Sequence, residues 1–124
     1  MIRLKLKRVY EPAEETDGTR FLVERLWPRG VSKQAARVEG WLKEAAPSSE
    51  LRKWYGHDPA KWREFRRRYL AELADAAEAL APLQAAARKG TVTLVFAARD
   101  PQHSSARILK EFLEQKAAGN GGAA

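Results

Sequence analysis

The chain opens on a strict alternation, with Ile2, Leu4 and Leu6 on one side and Arg3, Lys5 and Lys7 on the other. A period of two predicts a strand with one buried face, and the basic partners place it, as residues 2–9, at the edge of a sheet. A charged stretch then ends in Asp17-Gly18, a turn signal. Residues 21–27 begin a second apolar, β-prone run that stops at Pro28, which cannot continue a central ladder. Ser32 is placed to cap a helix, because Val38, Trp41, Leu42 and Ala45 fall at i, i+3, i+4 and i+7 and Pro47 closes the run. A short helix is expected from Ser48 or Ser49 to Tyr55, with Gly56 as its stop. Asp58-Pro59 reads as a cap and first-turn proline opening a helix striped by Trp62, Phe65, Tyr69 and Leu73, with Arg63, Arg66, Arg67 and Arg68 on its other face.

The alanine-rich residues 74–88 extend the helical region, with a break expected near Pro82 and an end at Gly90. Residues 91–98 are almost continuously apolar and rich in β-branched side chains, the pattern of a strand buried on both faces, and they predict the sheet centre. Ser104 or Ser105 then opens a last helix with Ile108, Leu109, Phe112 and Leu113 inward. The final glycines and alanines have nothing to bury, so residues 1–116 are expected to form one domain and residues 117–124 a disordered tail. Strands separated by helices should run parallel. The fold class expected is therefore α/β, a single three-layer domain with a small, mainly parallel sheet covered by helices. In such sheets ligands lie beyond the carboxyl ends of the strands, so residues 25–33 and 99–105 are expected to gather there.

A length of 124 residues fits one such domain. The absence of cysteine excludes disulfides, thiolate nucleophiles and Cys-based metal sites, and with no support for secretion a cytoplasmic location is expected. The alternating start contains neither a signal-peptide core nor a span of about 20 apolar residues, so no membrane contact is expected. Lys and Arg number 23 against 16 Asp and Glu, a net charge of +7, which favours anionic partners such as phosphorylated metabolites, nucleotides or nucleic acid.

Arg25 and Arg29 flank a rigid Trp27-Pro28 turn at a strand end, where a guanidinium fork suits a carboxylate or phosphate; Arg25 could equally pair with a local acid such as Glu24 or Asp100. His57 and His103 are the only histidines and both fall in loops, where an imidazole can serve as general acid or base or have no chemical role. Asp58 and Asp100 each precede a proline, and capping explains both without function; Asp100 also ends the buried strand, where catalytic carboxylates of α/β domains commonly sit, so a catalytic role stays open beside the cap there. Ser104 and Ser105 can hold a phosphate with the free N–H groups of the last helix, or simply cap it. Trp27 and Trp54 stand beside basic residues, where they wall a pocket or pack in the core. No HxH or HExxH spacing supports a metal, and the classical hydrolase and dinucleotide readings lack a Gly-rich phosphate loop, a GxSxG elbow or a GxGxxG fingerprint, so neither a metal nor a cofactor is expected. The candidate set is then His103, Asp100 and His57 as catalytic groups, and Arg25, Trp27, Arg29, Ser104 and Ser105 as ligand-binding groups.

Five segments, Arg8-Val9-Tyr10-Glu11-Pro12, Asp17-Gly18-x-Arg20, Leu22-Val23-Glu24-Arg25-Leu26-Trp27-Pro28-Arg29-Gly30, Leu51-Arg52-Lys53-Trp54-Tyr55-Gly56-His57-Asp58-Pro59 and Val92-Thr93-Leu94, resemble the YeaO-like branch of the domain of unknown function 488 family, over residues 2 to about 115. The resemblance implies a cytoplasmic α/β protein and carries no activity with it. Glu24 stands where that branch usually has Asp, which keeps the charge and lengthens the reach. His103-Ser104-Ser105-Ala106 lacks both the Asn that often follows the His and the Cys-His-Arg run of a wider branch, so thiol chemistry in relatives cannot operate here. The leading expectation is a small-molecule enzyme or ligand-binding domain for an anionic ligand. Competing with it are a nucleic-acid-binding module using Arg63, Arg66, Arg67, Arg68, Lys53 and Lys61, and an interaction protein without a pocket.

Overall fold

Val92, Thr93, Leu94, Val95 and Phe96 are all buried, so the strand they form, β4 (Val92–Phe96), has no solvent face and must lie inside the sheet. It does: in the computed structural model, which describes residues 2–122 and the side chains of residues 2–119, β4 runs between β1 (Leu4–Arg8) and β2 (Thr19–Leu22). A two-residue strand, β3 (Gly40–Trp41), adds to the far side of β2, and every pairing is parallel in the order β1-β4-β2-β3. The helices are α1 (Lys33–Ala36), α2 (Ser49–Tyr55), α3 (Trp62–Ala74), α4 (Ala77–Lys89) and α5 (Ser105–Gly122). This is the expected single α/β domain, with β1 at the expected edge. No helix among the described residues is long and apolar enough to cross a membrane.

The two sheet faces are covered unequally. Phe21, Val23, Val92, Leu94 and Phe96 form the main core with Leu51 and Tyr55 of α2, Phe65 and Tyr69 of α3, Leu80 and Leu83 of α4, and Ile108 and Leu109 of α5. The opposite face, carrying Leu22 and Val95, is covered only by Ala36 of α1 and by loop side chains including Trp27, Val31 and Val38. The third layer is thus thin.

Several boundaries differ from the sequence expectations. The helix begun at Ser32 is capped as expected, with the Ala35 N–H donating to Ser32 Oγ at 3.0 Å, but it ends at Ala36 and does not reach Ala45. The cause lies elsewhere in the chain: the Arg20 guanidinium takes the carbonyls of Ala36 and Arg37 at 2.8 and 3.2 Å, and Arg37 turns into the left-handed region at φ 48°. The residues beyond then pair with β2 as β3, through Glu39 N–H to Arg20 O and Leu42 N–H to Leu22 O. β2 itself begins earlier and ends earlier than residues 21–27. The break expected at Pro82 falls instead at Asp75–Ala76, and the proline is held inside α4. α5 continues to Gly122, across the boundary expected at residue 117, while Ala123 and Ala124 lie outside the described residues.

The expected solvated face of β1 is solvated at Arg3 and Lys5 but not at Lys7. Lys7 is only 8% exposed and Asp17 is fully buried. Lys7 Nζ stands 2.9 Å from Asp17 Oδ1 and 2.6 Å from Glu14 Oε1, and Arg20 Nη1 donates to Asp17 Oδ2 at 2.7 Å. Gly18 makes the entry into β2 possible: it adopts φ 66°, and a Cβ there would collide with the Thr91 carbonyl, which accepts the Thr19 N–H at 3.0 Å. Burial alone would raise the Asp17 pKa, but hydrogen bonds from Lys7, the Glu14 N–H and Arg20 outweigh it and hold the carboxyl far below its ordinary value. The unfolded chain protonates this group near pH 3.9. Its stabilisation is therefore complete at neutral pH and is lost as pH falls below about 4. Asp17→Asn is expected to lower the melting temperature at pH 7 by roughly 10 °C, with the gap to wild type closing in acid, as followed by circular dichroism.

Candidate functional site

The parallel ladder between β2 and β4 ends with Val23 N–H donating to Val95 O at 3.0 Å. One residue on, a side chain takes over from the backbone: Glu24 Oε2 accepts the Ala97 N–H at 2.8 Å, and the Glu24 carbonyl accepts the Trp41 indole N–H at 2.7 Å. Burial raises the Glu24 pKa, against the opposing pull of the Ala97 N–H, Arg52 and His57. Arg52, near the carboxyl end of α2, has a buried Nε without a hydrogen-bond partner. Neither Glu24 nor Arg52 was among the sequence candidates.

Arg25 is spent locally. Its Nε and Nη2 donate to the carbonyls of Pro47 and Ala46, each at 3.2 Å, and Nη1 pairs with Glu44 at 3.2 Å, so the strand end is fastened to the loop before α2. Trp27 donates its indole N–H to Val31 O at 2.6 Å and meets Trp41 edge to face at 5.3 Å, on the thinly covered sheet face. Arg29 is exposed, and its carbonyl accepts the Tyr10 hydroxyl at 3.3 Å.

The remaining candidates lie on the other side, along a row of rings. His57, in the left-handed region at φ 59°, stands 6.2 Å from Tyr55; Tyr55 is 6.0 Å from Trp62; and Trp62 meets His103 edge to face at 5.0 Å. His103 Nδ1 is 2.7 Å from Asp100 Oδ2, and this hydrogen bond is the main reason the Asp100 carboxyl lies below its ordinary pKa. Asp100 also caps the turn Pro101–His103 through the Gln102 N–H at 2.9 Å. Ser104 is buried, donating to Pro101 O at 3.0 Å and accepting the Arg107 N–H at 3.3 Å, which is a capping role. Ser105 is the first residue of α5. The turn after β4 thus holds Asp100, His103 and Ser104 together, whereas His57 is separated from His103 by the rings of Tyr55 and Trp62, and Arg25, Trp27 and Arg29 lie in other surroundings.

A recess of about 290 Å³ opens where the turn after β4 meets α3 and α5. Trp62 and Arg66 of α3 form one wall, Gln102 and His103 another, and Arg107, Ile108 and Glu111 of α5 the third. Glu111 spans the two arginines, with Oε2 accepting from Arg66 Nη2 at 2.9 Å and Oε1 standing 3.3 Å from Arg107 Nε. Arg107 Nη1 also reaches both Gln102 oxygens. Sequence reading placed Trp62 in a core stripe and Arg66 in a basic face; the i, i+4 spacing of Arg107 and Glu111 was the one local signal of this arrangement. Among the described residues no group of three or more His, Asp or Glu could hold a metal ion.

A family model described as "Inactive DUF488-N3 subclade" matches residues 3–123. The chain belongs to this family. Among relatives of this DUF488-N3 chain, the uncharacterized protein Rv3073c of Mycobacterium tuberculosis is 45% identical over 111 residues, covering 90% of this chain and 93% of its own. The uncharacterized protein YeaO of Escherichia coli is 40% identical over 112 residues, covering 90% and 97%. No solved structure matches. The family membership agrees with the resemblance read from the motifs, and the departure it marked, Glu24, is the residue that closes the β2–β4 edge.

Because folding holds the Glu24 pKa above that of the unfolded chain, the native state is penalised as pH rises through the interval between the two values, and the penalty is complete above it. Glu24→Gln keeps an acceptor for the Ala97 N–H and removes the charge. Its melting temperature should equal or exceed that of wild type at pH 7 and fall relative to wild type toward pH 4; a large loss at pH 7 would contradict this.

Proposed function

We propose that this domain binds a small anionic ligand in the recess between α3, the Pro101–His103 turn and α5, beyond the carboxyl end of β4. The observation that carries the reading is the convergence of two guanidinium groups, Arg66 and Arg107, on one carboxylate at the mouth of a recess that also holds His103. Two arginines from different helices around a central oxyanion form the arrangement that carboxylates and phosphates select. The volume, near the lower end of the range of about 300–1,000 Å³ for ligand pockets, suits one small molecule. Asp100 fixes the His103 ring through Nδ1, leaving Nε2 as the ring nitrogen open to a ligand. The family's description as an inactive subclade favours binding over catalysis.

The basic face of α3 supports a nucleic-acid reading less well, because three of its four arginines are engaged within the protein and only Arg63 stands exposed without an ion pair among the described residues. Glu64 takes Arg67 at 2.5 Å and Arg68 at 2.8 Å, Arg66 is held by Glu111, and Arg68 and Lys61 lie over the Trp54 ring.

Calorimetric titration at low ionic strength with inorganic phosphate, dicarboxylates and nucleotides tests the proposal. Arg107→Ala is expected to weaken the binding of an anion found this way by about tenfold, the equivalent of roughly 1.4 kcal/mol. Arg88→Ala, which removes one exposed charge from α4, should leave binding unchanged. Equal losses in both variants would reduce the effect to net charge and contradict a defined site.

A further inference from the structure

We infer that the ligand is a ring-bearing anion of mononucleotide size, whose anionic group takes the place of the Glu111 carboxylate between Arg66 and Arg107 while its planar ring lies against Trp62. This rests on the proposed anion-binding role of the recess and names the class of ligand.

Glu111 is the structure's own occupant of the anion position. Its two oxygens are divided between the arginines of two helices, Oε2 to Arg66 on α3 and Oε1 to Arg107 on α5. A phosphate presents the same oxygens with a greater charge, so it competes for both guanidinium groups at once. All three side chains are partly exposed, 41% for Arg66, 44% for Arg107 and 35% for Glu111, so the carboxylate can swing into water without leaving a buried charge behind. Glu111 then acts as an internal competitor that sets how strong an anion must be to enter.

The wall beside the arginines is aromatic. Trp62 is only partly buried and lines the recess, although it belongs to an aromatic series with Tyr55 and Phe65 that is otherwise core. Its half-buried indole lines the recess together with Arg66 and Arg107 and meets the His103 ring edge to face at 86°, so part of the indole borders the same space as the guanidinium groups. Surface of this kind rewards any flat π-system, and arginine planes beside it add to the attraction for heteroaromatic rings. A bare oxyanion uses only the arginines; a ring joined to the anion by a short linker uses both walls.

Titration of the wild-type protein with adenosine 5′-monophosphate, ribose 5-phosphate and adenosine separates the two halves. The nucleotide is expected to bind at least tenfold more tightly than ribose 5-phosphate, and adenosine to bind more weakly than either. Glu111→Gln should tighten both phosphates several-fold, because it frees the arginines. Trp62→Leu should abolish the difference between nucleotide and ribose 5-phosphate while leaving the latter unchanged; should that variant not fold, the wild-type comparison decides alone. Equal affinity of wild type for the two phosphates overturns the assignment of the ring and leaves anion binding standing. Tighter binding of adenosine than of ribose 5-phosphate, or weaker phosphate binding by Glu111→Gln, overturns the displacement of Glu111. Failure of every phosphate and dicarboxylate to bind sinks the anion reading itself.

Discussion

A single buried carboxylate organises the thinly covered side of the sheet. Asp17 has no solvent exposure, yet it is ionised, and its partners come from all the surrounding elements: Lys7 from β1, Arg20 from β2 and the Glu14 N–H from the turn before it. Its own carbonyl accepts the Thr93 hydroxyl of β4 at 2.7 Å, so three of the four strands are tied to one residue. A charge taken out of water is costly unless it is paired and fully hydrogen-bonded. Here Oδ2 accepts from Lys7, Arg20 and the Glu14 N–H, while Oδ1 faces Lys7 at 2.9 Å as a charge contact without hydrogen-bond geometry. Arg20 passes the constraint on, because the guanidinium that holds Asp17 also ends α1 and so releases the chain to form β3.

This polar layer leaves the other face free to build the site. With the thin side held by ion pairs, α2, α3, α4 and α5 all pack on the face that carries Phe21, Leu94 and Phe96. α3 and α5 lie against one another there, joined at their exposed rims by Arg66 and Glu111. The turn after β4 delivers Asp100 and His103 to the same place, and Trp62 spans the gap between that turn and the core rings of Tyr55 and Phe65. The proposed recess is therefore a product of helix pairing at the carboxyl edge of the sheet, the general position at which parallel α/β folds bind ligands.

How much of this could be read from the sequence follows the range of the interactions involved. The run Val92–Phe96 announced a central strand because each residue is apolar or β-branched, and the caps at Ser48, Asp58 and Asp100 were legible because each bond spans two or three residues. The stripe Trp62, Phe65, Tyr69 and Leu73 placed α3 correctly, since a helical period is local. What failed was set at a distance. Nothing near Ala36 signals that Arg20 will stop the helix there, and nothing near Lys7 signals that its alternation faces a buried acid ten residues on. Loops after neighbouring parallel strands commonly converge, and the β4 loop does approach α3 through His103 and Trp62, but Arg25 turns away because three oxygens of the 44–47 loop engage it first. Arg66 and Glu111 are 45 residues apart, and only the packing of α3 on α5 makes them neighbours.

On the proposed reading, anions enter between Arg66 and Arg107 and not at the strand-end arginines. The most direct measurement is a two-dimensional ¹H–¹⁵N NMR titration with inorganic phosphate at constant ionic strength, which reads the indole N–H groups of Trp27, Trp41, Trp54 and Trp62 together with the backbone amides. Saturable shifts confined to the Trp62 indole and the amides of Gln102, His103, Arg107 and Glu111 are the predicted result. Shifts spread evenly over the lysine- and arginine-bearing surface, or centred on Arg29 and the Trp27 indole, would contradict it.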